Sequence, residues 1–359
     1  MRLLTFLGTR PEIIKLSVVI KSLAEAGIEN TVVYTNQNPT ANLSTWFLDE
    51  LGIKVDYFIE KLEKPSIGEW IGHLLKNTEE IIQKEKPDGF LILGDTYSVL
   101  SAIIAAHHNI PIIHMEAGNR SRDWRMPEEK NRKLIDHIST YSLPFVQSSK
   151  DNLLKEGIAE DSIFISGDPI VEVIKYYEPK IDQSDILKKL NVEKGKFLLA
   201  TIHRTENTDN LDALTNILKG LNLIVQHFDM PLIWGIHPRT QSKLASIDVK
   251  LDERIKVSDL FDFFDFVKLE KDAFMALSDS GTVHEECGLF MVPTVILRET
   301  SERPETIECG SSMLSGTKDP NKILEAAKIM AERPRNWVHP YASHIDVSKK
   351  VIDFLKCKF

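Results

Sequence analysis

The chain is 359 residues long, 42% hydrophobic and 27% charged, which excludes wholesale disorder and predicts two globular domains rather than one core. A net charge of −9 with no long Lys/Arg run argues against nucleic acid as a partner, and no apolar run approaches the ~18 residues of a membrane span. The three cysteines, Cys287, Cys309 and Cys357, form neither a metal-binding pair nor a disulfide framework, so a cytoplasmic protein without membrane insertion is expected.

From the N-terminus, the apolar run 3–7 reads as a buried strand rather than a signal peptide, because no small-residue cleavage site follows it. Runs at 31–35, 90–93, 111–115, 142–146 and 163–166 are further strand candidates, separated by helical stretches such as 67–83. In that stretch Ile67, Trp70, Ile71, Leu74, Leu75, Ile81 and Ile82 recur at helical spacing. Residues 168–195 hold no convincing strand and read as a hinge. The pattern then restarts with strands at 197–202, 232–236, 274–278 and 294–297, and Leu211, Leu214, Leu218, Leu221 and Val225 mark a helix among them. Near-continuous apolar strands alternating with helices predict parallel sheets covered on both faces. The expected division is 1–169 and 170–342, with a helix at 343–359 returning to the first domain. Two such halves would place a ligand site in the cleft between them, where strand C-termini converge.

The polar motifs fall just after those strands. Gly8-Thr9-Arg10-Pro11-Glu12 opens a helix; Thr9 with Glu12 predicts a capping box, which leaves Arg10 placed to meet a diphosphate. Gly94-Asp95-Thr96 follows another strand, where an aspartate is as readily a helix cap. His114-Met115-Glu116-Ala117-Gly118 puts a carboxylate at the end of an apolar strand, a costly place unless it is paired or used. Met126-Pro127-Glu128-Glu129-Lys130-Asn131-Arg132 opens a helix with acidic residues that also suit its dipole. Asp95, Glu116 and Glu128 thus form a candidate cluster for proton transfer or for stabilising a developing cation. In the second half, His203-Arg204-Thr205-Glu206-Asn207 and Gly235-Ile236-His237 end two strands, and Asp279-Ser280-Gly281 leads into a helix. There Ser280 and Gly281 can offer backbone N–H groups to a diphosphate and Glu286 can accept ribose hydroxyls; Arg303 opens one more helix. No metal site is expected, since the His and carboxylate spacing matches no ligand motif, and the lack of GxGxxG after the first strand counts against NAD.

Taken together, GTRPE at 8–12, GDT at 94–96, H-x-E-A-G at 114–118, PEE-x-N-R at 127–132, HR-x-E-N at 203–207, DSG-x-x-x-EE at 279–286 and ERPE at 302–305 resemble the non-hydrolysing UDP-N-acetylglucosamine 2-epimerases over nearly the whole chain. The resemblance implies two Rossmann-like, doubly wound parallel-sheet domains of the GT-B type, a homodimer, a UDP-sugar as the substrate partner, and neither cofactor nor metal. It also implies a reaction in which UDP leaves C1 as the C2 proton is lost, giving a 2-acetamidoglucal to which UDP adds back. By motif match, Asp95, Glu116 and Glu128 would share the proton transfers, and His203 would attend the departing phosphate. Arg10, Lys15, Arg132, His237, Ser280, Gly281, Glu286 and Arg303 would bind substrate and UDP.

The sequence departs from the family in places. Gln37-Asn38-Pro39 stands where members regulated by a second UDP-sugar carry Gln-His-Arg, which counts against an effector site. Thr282 replaces a usual glycine, Asn119 a usual leucine, and Trp124 sits in an unusual segment, 121–125. Asn119 and the Gln-Asn pair are similar to the branch converting UDP-N-acetyl-L-talosamine to UDP-N-acetyl-L-fucosamine, and Asn119 and Trp124 predict an altered hexose pocket. A GT-B glycosyltransferase would use the same UDP cradle but fewer acid–base groups. A hydrolysing epimerase would release the free sugar. A non-catalytic nucleotide-sugar sensor would lack one of the carboxylates or His203, and none is missing.

Overall fold

A computed structural model describes residues 1–37 and 41–359, and of residues 41–45 and 239 the backbone alone. The chain divides into two compact units: Met1–Tyr176 with His344–Phe359, and Tyr177–Ser343. Each holds a six-stranded sheet in which every pairing is parallel.

In the first unit the strands are β1 (Arg2–Leu7), β2 (Glu29–Tyr34), β3 (Tyr57–Phe58), β4 (Gly89–Leu93), β5 (Ile112–Met115) and β6 (Tyr141–Leu143), in the spatial order β3-β2-β1-β4-β5-β6. The second unit repeats this with β7 (Leu198–Thr201), β8 (Leu232–Gly235), β9 (Ile255–Ser258), β10 (Met275–Ser278), β11 (Thr294–Ile296) and β12 (Ser312–Leu314), ordered β12-β11-β10-β7-β8-β9. Both are the Rossmann order, and in each the direction of winding reverses between the first and fourth strands. Loops leaving the C-terminal ends of β1 and β4, and of β7 and β10, therefore diverge from the same place. These loops carry GTRPE and GDT in one unit, and HR-x-E-N and DSG in the other.

The central strands were legible as apolar runs because both faces are covered: Leu3, Leu4, Phe6, Leu7, Phe90, Leu91, Ile112 and Ile113 are all buried. The strands missed, β3, β9 and β12, lie at sheet edges, run for two to four residues, and bury at most one residue each. Residues 163–166 are a correction. They make a single bridge from Ile163 to Ser142 and two further backbone bonds, Phe164 to Ser142 and Ser166 to Pro144, but do not form a strand beside β6. The stretch expected as a hinge is largely helical, Pro169–Gln183 and Ile186–Leu190, with Ile170, Val173, Tyr177 and Ile181 buried along one face. The division between the units falls inside the first of these helices.

Helix Ile67–Glu85 forms as its periodicity predicts, behind a capping box from Ser66 and Glu69. Its first turn departs from the apolar reading, since Ile67 is exposed while Leu74, Ile81 and Ile82 are buried. The last helix, Val347–Lys358, belongs to the first unit. There Phe354 packs on Tyr141 and Phe164, each with ring centroids 5.2 Å apart. Among the described residues no helix is long and apolar enough to cross a membrane.

Candidate active site

In the first unit, Glu12 is fully buried at the start of helix Arg10–Glu25. The expected capping box does not form, because the Thr9 side chain caps no backbone N–H; its Oγ1 donates to Glu12 at 3.1 Å, and Glu12 accepts also from the Gly8 N–H at 2.5 Å, Thr96 Oγ1 at 2.5 Å and Ser98 Oγ at 2.9 Å. Burial pushes its carboxyl above the usual range, against the pull of those donors. Glu12 thus ties the loop after β1 to the loop after β4. Arg10, half-buried beside it, lies with its guanidinium 4.6 Å from the Phe47 ring centroid.

Asp95 follows β4, and its carboxylate meets the buried Arg132 guanidinium, while its backbone carbonyl accepts from Asn131 Nδ2 at 3.0 Å. Arg132 also reaches Glu129 at 3.2 Å, and Glu129 accepts from the Ser121 N–H at 2.8 Å. Arg132 therefore positions carboxylates from inside the protein. Glu128, one residue before Glu129, is half-buried and lies close enough to Tyr97 to help burial raise that phenol.

Glu116 has φ +67°, a left-handed backbone that a side-chain-bearing residue adopts only when its surroundings enforce it. Its N–H donates to Leu143 O on β6 at 3.1 Å. The Glu116 carboxylate is buried 3.4 Å from Lys15 Nζ, which also lies 3.1 Å from Asp168 and 4.7 Å from the Phe145 ring centroid. Lys15 is only 1% exposed, so its ammonium is committed to the two carboxylates. Asp168 was missed in the sequence; nothing in its spacing links it to Lys15.

Beneath this loop runs a buried ionic chain. His114 Nδ1 lies 2.9 Å from Asp136, which is 2.7 Å from Arg120, and Arg120 is 2.6 Å from Glu156. The Arg120 hydrogen bond, with help from Lys133, holds the Glu156 carboxyl down at about 2. Because that value lies below the usual carboxyl range, the group's contribution to stability is complete above pH ~4.5 and is lost as pH falls toward 2. We expect Glu156→Gln to flatten the unfolding free energy between pH 5 and pH 2 in urea titrations, relative to the unmodified protein.

Two residues expected at the sugar sit otherwise. Asn119 turns inward, its Oδ1 accepting from Ser149 Oγ at 2.7 Å. Trp124 is 62% exposed, with Lys133 Nζ 5.7 Å from its ring centroid. Asn38 and Pro39 lie outside the described residues.

In the second unit, the buried Asp279 organises the loop after β7. It accepts from the backbone N–H of His203 and of Arg204, each at 3.0 Å, and from Asn207 Nδ2 at 3.0 Å. The His203 ring is half-exposed, with Nδ1 3.7 Å from Asp279 and the His237 ring centroid 6.3 Å away. Ser280 differs from expectation. Its N–H donates to Ser278 Oγ at 3.0 Å, so of the two expected backbone donors Ser280 is occupied, and Gly281 is the better candidate. A Cβ on Gly281 would sit 2.8 Å from Glu302 Oε1 and 3.1 Å from Arg204 Nη2, so a side chain there would have to displace that ion pair. Glu302 bridges Arg204 at 3.0 Å and Arg298 at 2.8 Å. Arg303 is buried against Glu285, inside the unit. Glu286 is buried too, yet its carboxylate makes no hydrogen bond or ion pair among the described residues. No group of three His, Cys, Asp or Glu side chains among the described residues converges as a metal-binding set.

The UDP-N-acetylglucosamine 2-epimerase family model matches residues 21–356. The UDP-N-acetylglucosamine 2-epimerase of Methanocaldococcus jannaschii is 38% identical over 352 residues, covering 96% of each chain. The crystal structure of UDP-GlcNAc 2-epimerase from that organism, in complex with UDP-GlcNAc and UDP, superposes with a TM-score of 0.92 at 36% identity, over 99% of this chain and 100% of that one. The UDP-2,3-diacetamido-2,3-dideoxy-D-glucuronate 2-epimerase of Pseudomonas aeruginosa is 35% identical over 333 residues, covering 91% and 92%. A glycotransferase structure at 13% identity and TM-score 0.57 shares the fold alone, which is of the GT-B type. With both units accounted for in this way, the chain belongs to the UDP-N-acetylglucosamine 2-epimerase family and is an isomerase acting on a UDP-sugar.

Proposed function

We propose that the enzyme interconverts UDP-N-acetylglucosamine and UDP-N-acetylmannosamine by eliminating UDP and adding it back. The C2 proton has no neighbouring ketone to acidify it, so its loss must accompany cleavage of the C1–O bond. The electron pair of C2–H becomes the C1–C2 double bond of a 2-acetamidoglucal as the bonding pair of C1–O leaves with UDP. Re-addition of UDP at C1 with a proton on the other face of C2 gives the epimer. The positive charge developing at C1 calls for nearby carboxylates, as in glycoside cleavage.

In this reading Asp95, Glu116 and Glu128 share the proton transfers and the cation stabilisation. His203 attends the leaving phosphate, and Arg10, His237, Gly281 and Glu286 hold UDP. The observation that carries it is Glu116. A carboxylate buried at the end of a strand, in a left-handed backbone conformation and paired with a buried lysine, is costly to build for packing alone. The relative crystallised with UDP-GlcNAc and UDP supports the same substrate. Incubation with UDP-N-acetylglucosamine in D₂O followed by NMR tests the proposal. The expected result is deuterium at C2 in two epimers that both remain attached to UDP, whereas free sugar and UDP as the only products would indicate a hydrolysing enzyme.

A second reading, epimerisation of a modified UDP-hexosamine, is favoured by the 35% identity to the diacetamido-glucuronate enzyme. A single substituent typically discriminates by about 1–3 kcal/mol, so both substrates can turn over. The ratio of their kcat/KM values decides between the readings.

A further inference from the structure

His114 on β5 is fully buried, with Nε2 hydrogen-bonded to a backbone carbonyl and Nδ1 within ion-pair distance of a carboxylate. Nε2 lies 2.8 Å from the Gly94 carbonyl, immediately before Asp95, and Nδ1 lies 2.9 Å from Asp136. A carbonyl oxygen can only accept, so Nε2 carries a hydrogen. Asp136, in helix Pro127–Ile138, in turn accepts from the Gly118 N–H at 3.2 Å and lies 2.7 Å from Arg120. Gly118 is two residues after Glu116, at φ +80°, and a Cβ there would meet Ser149 O at 2.2 Å. The imidazole therefore spans the gap between the loop bearing Asp95 and the anchor of the loop bearing Glu116.

We propose that His114 is a positioning residue that locks the Asp95 and Glu116 loops into one fixed pair. The proposal rests on the roles given to those two carboxylates above. His114 touches no substrate in this scheme; it acts by preventing the two loops from moving independently. Proton removal at C2 and charge stabilisation at C1 must coincide in one transition state, so the two carboxylates have to be correctly placed together. A misplacement of about 1 Å at a reacting group can cost on the order of 10²-fold in rate.

Two substitutions separate the two ends of the strut. In His114→Gln the amide nitrogen falls near the Nε2 position and keeps the Gly94 link, while in His114→Asn it falls near Nδ1 and keeps only the Asp136 side. With UDP-N-acetylglucosamine as substrate and UDP as the binding probe, kcat is expected to fall about 10²-fold in His114→Asn. His114→Gln, which opens the other end of the strut, should lose kcat to a similar extent, with KM and UDP affinity staying within about twofold in both. Unchanged kcat in His114→Asn overturns the proposal, as does a parallel loss of kcat and UDP affinity, which marks a general structural defect.

Should the Asn variant fail to fold, His114→Gln alone decides. Its kcat should drop while amide exchange quickens at 116–118 but not at 94–96, and wild-type kcat with unchanged exchange would refute the strut. Glu116→Gln and Asp95→Asn run alongside. If these keep full turnover, the carboxylate roles themselves fall; if they lose turnover while both His114 variants keep it, only the strut falls.

Discussion

Glu116→Gln and Asp95→Asn are each expected to lower kcat by about 10²–10⁴-fold, the usual contribution of a placed acid–base group, with UDP affinity nearly unchanged. Both substitutions keep side-chain shape and a carbonyl oxygen that can still accept from the neighbouring cation. In Glu116→Gln the Lys15 ammonium retains Asp168 at 3.1 Å, and in Asp95→Asn Arg132 retains Glu129 at 3.2 Å. Neither variant therefore strands a buried charge, and the fold should survive. UDP affinity is the control because the residues assigned to it lie mostly in the second unit. Arg10→Ala should show the opposite pattern, weaker UDP binding with a smaller loss of kcat. The comparison is read from steady-state kinetics beside calorimetric titration with UDP. A Glu116→Gln enzyme with near-normal kcat would return Glu116 to a structural role.

The places where these residues sit were legible because a parallel sheet concentrates its polar loops at strand C-termini. Once 3–7 and 90–93 are read as buried strands, the residues after them must stand at one end of the sheet. Asp95, Glu116 and His203 were singled out in this way, while the organising role of Asp279 was not. What holds them was not legible. Arg132 was expected among the residues that bind substrate and UDP, yet it is buried, pairs with Glu129 three residues before it and reaches across to Asp95. Lys15 and Arg303 read as ligand-binding cations, and the structure places each against buried carboxylates. Spacing along a chain does not say which of two neighbouring charges turns inward, because that depends on strands brought together from distant positions. His114 meets Gly94 across adjacent strands, a contact set by register between β4 and β5. Asn119 marks the opposite limit, a residue singled out as unusual whose side chain is turned into the protein.

The second large effect is on stability in acid, through His284. This residue lies in helix Val283–Leu289, fully buried, with Nδ1 2.8 Å from Thr306 Oγ1. Burial holds its imidazole down at about 3, opposed by the Glu302 carboxylate and reinforced by the positive charges of Arg303, Arg298 and Arg204. In the unfolded chain the same imidazole takes up a proton near pH 6.5. Above that pH neither state is protonated there and the stability contribution is complete. As pH falls from 6.5 toward 3 only the unfolded chain binds the proton, so stability is lost at about 1.4 kcal/mol per pH unit. His284→Asn removes the titrating group while leaving an amide able to reach Thr306. It also creates a small cavity, which lowers stability by an amount that does not vary with pH. The expected result is a wild-type protein that loses stability faster than the variant between pH 6.5 and about 4, so that their unfolding free energies converge or cross. Urea unfolding at a series of pH values reads this directly. A constant offset across that range would mean that the folded protein accepts the proton, and that the arginines around Glu302 do not keep His284 neutral.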